Sequence, residues 1–234
     1  MSSHPPSPTA SCAKVRECAD AILTQCGLWE NPYFETLRDG RMSLEAFRVS
    51  QEHFYFAVAF FSRPMAGLIA RSPAYASRVD ILRNVVEEHG DFRLSDSHAK
   101  TFEAFLKRLG SRTDSLPALP PPPAVHAFNS VLFSACMLEA LEIGIGCIGI
   151  IEYAFAELSA RIGTAVAERG WIPRDRLVHY TLHAELDRRH ADEFFVLLEP
   201  GWDDPAKREL AEQGLALGAY AFDRLYRDLL KAAT

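Results

Sequence analysis

The chain has 234 residues, of which 48% are hydrophobic and 24% are charged, and its formal net charge is −6. These values are ordinary for a soluble globular protein, and the length suits one large domain or two small ones. The negative charge and the lack of a basic run argue against a nucleic-acid-binding protein.

The cysteines and the N-terminus indicate where the protein resides. The five cysteines are odd in number, and none forms a Cys-x-x-Cys pair. The first residues are polar and lack the apolar region of a signal peptide. We therefore expect reduced thiols in a cytoplasmic protein and a disordered tail over residues 1–12. The most apolar stretch, residues 140–155, contains Glu142 and Glu152, so it predicts a buried helix and no membrane partner.

Helical periodicity predominates along the chain, and no stretch alternates for long with the period of two that is typical of strands. Gly27 is expected to stop the first helix, and Ser43 and Ser97 are good N-cap residues. Pro64 either kinks the third helix or begins a segment to about residue 70. In chain order, helices are predicted over residues 13–28, 31–40, 44–62, 77–88, 98–109, 124–141, 146–161, 174–198 and 205–232.

A proline-rich connector, residues 116–123, separates the two halves of the chain. It could be a domain linker, but neither half looks able to complete a core or a metal site alone. We interpret it as a crossover inside one domain. The predicted fold is therefore an all-α bundle of seven to nine helices in a single domain, residues 13–234.

The most informative motif lies in the helix predicted near the C-terminus. His183, Asp187 and His190 are separated by four and three residues, so they share one helix face. Nitrogen and carboxylate donors suit iron, manganese or zinc. The alternative is a solvated or salt-bridged face, because Arg188 and Arg189 lie beside these residues.

Acids elsewhere in the chain are candidates for the same site. Glu152 lies in an otherwise apolar helix, where a carboxylate needs a metal or a partner such as Arg161. Glu52 lies in an aromatic segment that predicts burial, and its alternative is a surface acid. Glu88 and His98 flank a polar loop that can fold them onto one centre, although a charged helix end is common without function.

Together, these candidates form a set of three imidazoles and four carboxylates. So many donors exceed the needs of one zinc ion, whereas two carboxylate-bridged ions would use them all. The donor types favour iron or manganese. The proposed metal ligands are Glu52, Glu88, His98, Glu152, His183, Asp187 and His190.

On these motifs, residues 44–198 resemble the heme-oxygenase-like diiron oxidases, which share a helical scaffold with thiaminase II and pyrroloquinoline quinone synthase. The resemblance lies in His-x3-Asp-x2-His, in an acidic pair followed by glycine and a later histidine, and in two helical glutamates. It implies two iron ions, with dioxygen as co-substrate; a manganese–iron pair fits the same ligands. Related enzymes N-hydroxylate amine or guanidine nitrogens, cleave C–C bonds or convert one of their own tyrosines.

The resemblance leaves two other functions open. Metal-independent enzymes of the thiaminase II type use a cysteine, for which Cys136 or Cys147 is available, and a late glutamate. A helical interaction protein would use the histidines for structure only. His179 shares the helix face but has no counterpart in the family pattern, so we expect a supporting role. A small-molecule substrate, an external electron donor and a homodimer complete the expectations.

Overall fold

The structure, a computed structural model, describes residues 12–233; within α-helix it does not describe the side chains of residues 178 and 181–187. Residues 1–11 of the predicted tail lie outside this range. Cys12, the last residue of that tail, is 4% exposed and packs in the core.

The described residues contain ten α-helices and no β-strand. Residues 44–58 and 62–71 form two helices, and Pro64 lies in the first turn of the second, which matches the alternative that Pro64 begins a new segment. The all-α fold predicted from the sequence is confirmed. The helices are α1 (Ala13–Cys26), α2 (Pro32–Arg38), α3 (Leu44–Val58), α4 (Ser62–Arg71), α5 (Tyr75–Glu88), α6 (His98–Arg108), α7 (Pro123–Met137), α8 (Leu141–Glu168), α9 (Val178–Leu198) and α10 (Pro205–Ala233).

Local capping explains several helix ends. Gly27 adopts a left-handed conformation, φ 72°, and ends α1 as predicted. The Ser43 side chain accepts a hydrogen bond from the Ala46 amide and begins α3. Ser97 stands at the N-cap of α6 but does not cap it, because its hydroxyl donates to the Leu94 carbonyl instead.

The central helix differs most from its prediction. We expected a helix over residues 146–161, whereas α8 runs for 28 residues from Leu141 to Glu168. Gly144 and Gly146 lower the helix propensity of its first turns, so the sequence did not predict a helix there. α8 is long and apolar enough to cross a membrane by composition, but 78% of its apolar window is buried inside the bundle. This burial matches the prediction of a buried helix.

Glycine brings α8 into close contact with α10. A Cβ added at Gly146 would lie 2.9 Å from the Ala211 carbonyl oxygen, and one at Gly218 would lie 2.5 Å from the Cys147 carbonyl oxygen. Backbone atoms cannot move aside as a flexible side chain can. The two helices therefore pack at a distance that excludes side chains at these positions.

The start of α9 is held by a buried hydrogen-bond network. The Tyr180 hydroxyl donates to the Gln51 side-chain oxygen over 2.5 Å, and the Gln51 amide donates to the Tyr33 hydroxyl over 2.8 Å. The Tyr33 hydroxyl can then donate to Ser50, 2.7 Å away. Since all four residues are fully or almost fully buried, the network fixes α9 against α2 and α3.

We predict that Gly218→Ala destabilises the protein. Helix propensity alone would stabilise it by about 1 kcal/mol, but overpacking typically costs about 1–3 kcal/mol, and here the obstacle is backbone. Because backbone cannot move aside, we take the upper part of that cost, about 2–3 kcal/mol, so a net loss of roughly 1–2 kcal/mol is expected in urea denaturation. Gly201→Ala is the control, because its Cβ would meet only the flexible Lys207 side chain. Equal stability of the Gly218 variant and the wild type would contradict this close packing.

Candidate metal centre

Three buried side chains from three helices converge in the core. Glu88 ends α5, Glu152 lies in the middle of α8 and His190 lies in α9. One potential ligand atom of each lies within 4.8 Å of the others. Their exposed fractions are 8%, 3% and 0%. This geometry suits a metal ion, because a cation would compensate the buried carboxylates.

His98 joins this group through Glu88. Its Nδ1 lies 2.7 Å from Glu88 Oε1, and both side chains are buried. The turn between α5 and α6 makes this contact, and Gly90 permits the turn with a φ of 67°. A Cβ at Gly90 would lie 2.5 Å from the Arg93 carbonyl oxygen. Gly90, which follows the acidic pair Glu87 and Glu88, therefore permits the turn that brings His98 back to Glu88.

A narrow cavity of about 40 Å³ adjoins the cluster, with room for only a few water-sized molecules. Aside from acids and imidazoles, its wall is apolar, and the described residues that line it include no lysine or arginine. The cavity is lined by Phe54, Ala57, Val58, Phe61, Glu88, His98, Phe128, Ile151, Glu152, Phe155, His179 and Phe222.

His190 contacts acids on both edges of its ring. Its Nδ1 lies 4.0 Å from Glu152 Oε1, and its Nε2 lies 2.7 Å from Glu87 Oε2. Arg189 donates to the same Glu87 oxygen over 2.5 Å. Burial raises the pKa of Glu87, but the hydrogen bonds from His190 and Arg189 outweigh it, so the pKa lies below its ordinary value. Glu87 was not among the predicted site residues.

The structure brings four predicted residues together: Glu88, His98, Glu152 and His190. The alternative partner of Glu152, Arg161, instead contacts Glu157 over 3.1 Å. The backbone of α9 is helical through the positions of the two other predicted ligands on that helix. The side chains of these two residues, His183 and Asp187, lie outside the described part of the chain.

The structure does not bring Glu52 to this group. Its Oε1 lies 2.5 Å from the Arg48 guanidinium, and it borders a surface depression with Arg112 and Asp114. The face of α3 that lines the cavity carries Phe54 instead, and two residues of helix rotate a side chain by about 200°. Glu52 thus corresponds to the surface-acid alternative. The aromatic residues around Glu52 favoured burial in the sequence, but they did not show which face of α3 its side chain occupies.

His179, for which we expected a supporting role, lines the cavity beside the site. It is 1% exposed and packs its ring edge-on against Phe102, with centroids 4.8 Å apart. The Thr101 hydroxyl donates to the His98 carbonyl and lies 3.1 Å from His179 Nδ1. This hydrogen-bond contact ties the start of α9 to α6. The four-residue spacing from His183 was the sequence signal for this placement.

The two cysteines considered as nucleophiles lie away from the cavity wall. Cys136 and Cys147 are 0% exposed. Burial raises the pKa of both thiols, that of Cys147 to about 12. A thiol in such surroundings stays protonated at neutral pH and is a poor nucleophile.

We predict that Cys136 and Cys147 resist alkylation in the folded protein. Iodoacetamide at pH 8 should modify the partly exposed Cys18 and Cys26 first, and the buried pair only after unfolding. Mass spectrometry of peptides from native and urea-treated samples measures the difference. Labelling of Cys147 in the native protein as fast as Cys18 would contradict the inert role assigned to it.

The fold and the cluster define a helical bundle with a buried carboxylate–imidazole site. Residues 50–223 match the family model described as iron-containing redox enzyme. The match spans well over half of the chain, and the chain belongs to this family of iron-containing redox enzymes. The comparison with curated proteins finds no match.

Solved structures share the fold at low sequence identity. A TenA family transcription regulator from Silicibacter sp. is 14% identical; the alignment covers 95% of this chain and 98% of that one, with a TM-score of 0.72. A TenA homolog from Pseudomonas syringae pv. tomato is 16% identical over 100% and 99%, with a TM-score of 0.73. A domain of unknown function with a heme oxygenase-like fold from Shewanella denitrificans is 14% identical over 93% and 89%, with a TM-score of 0.72. The heme-oxygenase-like fold is confirmed.

Proposed function

We propose that this protein is a non-heme diiron enzyme that uses dioxygen to oxidise a small organic substrate. The observation that carries the proposal is the convergence of Glu88, Glu152 and His190, all buried, with donor atoms within 4.8 Å of one another. Membership of a family of iron-containing redox enzymes supports iron as the metal.

The proposed ligand set has six members. Glu88, His98, Glu152 and His190 are contributed by α5, α6, α8 and α9. By their spacing from His190, His183 and Asp187 are proposed to complete it. Mixed carboxylate and imidazole donors suit ferrous iron, and a manganese–iron pair fits them equally. Six donors exceed the three or four that one structural or catalytic zinc ion takes, which supports two ions.

When bound, ferrous iron would supply electrons and open coordination positions for dioxygen. The side chains around the site determine its charge and its polarity. Glu88 and Glu152 provide negative charge against the cations, while Phe54, Ile151 and Phe155 give the adjoining cavity an apolar wall. Because the wall is apolar and the cavity is small, we propose that a small apolar group of the substrate enters it. This arrangement supports C–C cleavage or desaturation, or N-oxygenation of a substrate whose nitrogen approaches the metal ligands.

The metal-independent alternative finds less support. A thiaminase II-like reaction would need an accessible nucleophilic cysteine, whereas Cys136 and Cys147 are fully buried away from the cavity wall. The likeness to TenA proteins is at 14–16% identity and concerns the fold. We therefore propose no second function.

We also propose an electron donor, a cellular location and an oligomeric state for this enzyme. Complete reduction of dioxygen takes more electrons than a two-electron substrate oxidation provides, so an external electron donor would supply the remainder. A cytoplasmic location and a homodimer would be compatible with this chemistry.

We predict that Glu152→Gln weakens iron binding. Anaerobic titration with Fe(II), followed by an oxygen pulse, should give iron-loaded wild type and an oxygen-dependent absorbance change. Loss of a buried ligand charge should weaken iron binding at least about tenfold and remove the absorbance change. Glu157→Gln is the matched control, because Glu157 lies on the same helix and its side chain is 45% exposed.

Two outcomes would overturn the proposal. In one, wild type takes up no iron from an anaerobic Fe(II) solution. In the other, the Glu152 and Glu157 variants bind iron equally well and give the same response to oxygen.

A further inference from the structure

We infer that Glu87 is a positioning residue that fixes the tautomer of His190 and so aims its Nδ1 at the metal cluster. The consequence for metal affinity rests on the proposed function, whereas the tautomer itself does not. The starting point is the ring of His190, whose two nitrogens face different acids: Nε2 lies 2.7 Å from Glu87 Oε2, and Nδ1 lies on the side of Glu152, 4.0 Å from its Oε1.

The hydrogen-bond chemistry of Glu87 leaves one arrangement. Arg189 donates to the same Glu87 oxygen that His190 contacts, so this oxygen belongs to an ionised carboxylate. An ionised carboxylate only accepts hydrogen bonds. Nε2 of His190 must therefore carry a proton and donate it. In the neutral ring this assigns the lone pair to Nδ1, the nitrogen that can bind a metal.

The position of Glu87 is fixed by the packing of α5 against α9. Arg83 lies 3.1 Å from Glu193, and four residues later in α5 Glu87 pairs with Arg189, four residues earlier in α9. The two ion pairs thus form an antiparallel ladder with their charges reversed. Glu88 follows Glu87 and lies about 100° further around the helix, so adjacent acids serve different purposes: one faces the cluster and the other holds His190.

Such a contact has a known consequence in metalloproteins. A histidine ligand commonly donates its second N–H to a carboxylate, which fixes the ring orientation, and loss of that partner typically weakens metal affinity by about 10–100-fold. The same loss is expected for Glu87→Ala. Glu87→Gln keeps an oxygen that can accept the hydrogen bond, so its affinity should lie between those of wild type and Glu87→Ala.

The first test needs no metal. The metal-free protein, labelled with 15N-histidine, is studied by NMR, and His190→Gln assigns the His190 signals. We expect His190 as the Nε2–H tautomer in wild type and a mixture of tautomers in Glu87→Ala. The Nδ1–H form in wild type, or an unchanged spectrum in Glu87→Ala, would overturn the inference whatever the metal chemistry.

The second test measures the affinity for Fe(II) by anaerobic titration. Glu193→Ala is the matched control, since it breaks the other ion pair of the ladder and leaves the Glu87–His190 contact in place; circular dichroism checks that each variant folds. Affinity should fall in Glu87→Ala and stay near wild type in Glu193→Ala. An equal loss of Fe(II) affinity in both variants would mean that the two acids only hold α5 against α9. That result would contradict a positioning role for Glu87. If wild type binds no iron while the NMR result holds, the proposed function fails and the tautomer assignment stands.

Discussion

The burial of two carboxylates in an apolar core is the constraint on which this structure depends. Glu88 and Glu152 are 8% and 3% exposed, and an isolated charge in such surroundings is costly. Among the described residues, the imidazoles of His98 and His190 face these carboxylates. A divalent cation bound between these groups would compensate the charge of the two carboxylates. The same acids would be a burden on stability in a bundle that held no metal.

The helical packing delivers these groups to one place. α8 lies at the centre and packs most extensively against α9 and α10. Gly146 and Gly218 let α8 and α10 approach closely, which anchors the helix that carries Glu152. Gly90 turns the chain from α5 into α6, and the buried Tyr180 network holds the start of α9. Each element that contributes a ligand is therefore fixed by a contact outside the cluster.

Local patterns predicted much of this arrangement. Gly27 and Ser43 marked helix ends because caps are local interactions, and Glu88 and His98 were linked because one short turn joins them. Tertiary contacts set the rest. His190, which contacts Glu87, lies 103 residues away from it in the sequence. The helix face that Glu52 occupies depends on how α3 packs. A helix with aromatic residues on several sides does not reveal which of its polar positions faces the core.

Anomalous diffraction at the iron absorption edge would test the central claim most directly. Crystals of the protein loaded anaerobically with Fe(II) should show iron peaks between Glu88, Glu152 and His190, with His98 on the same centre. Iron bound elsewhere on the protein, with none at this cluster, would contradict the account of the site.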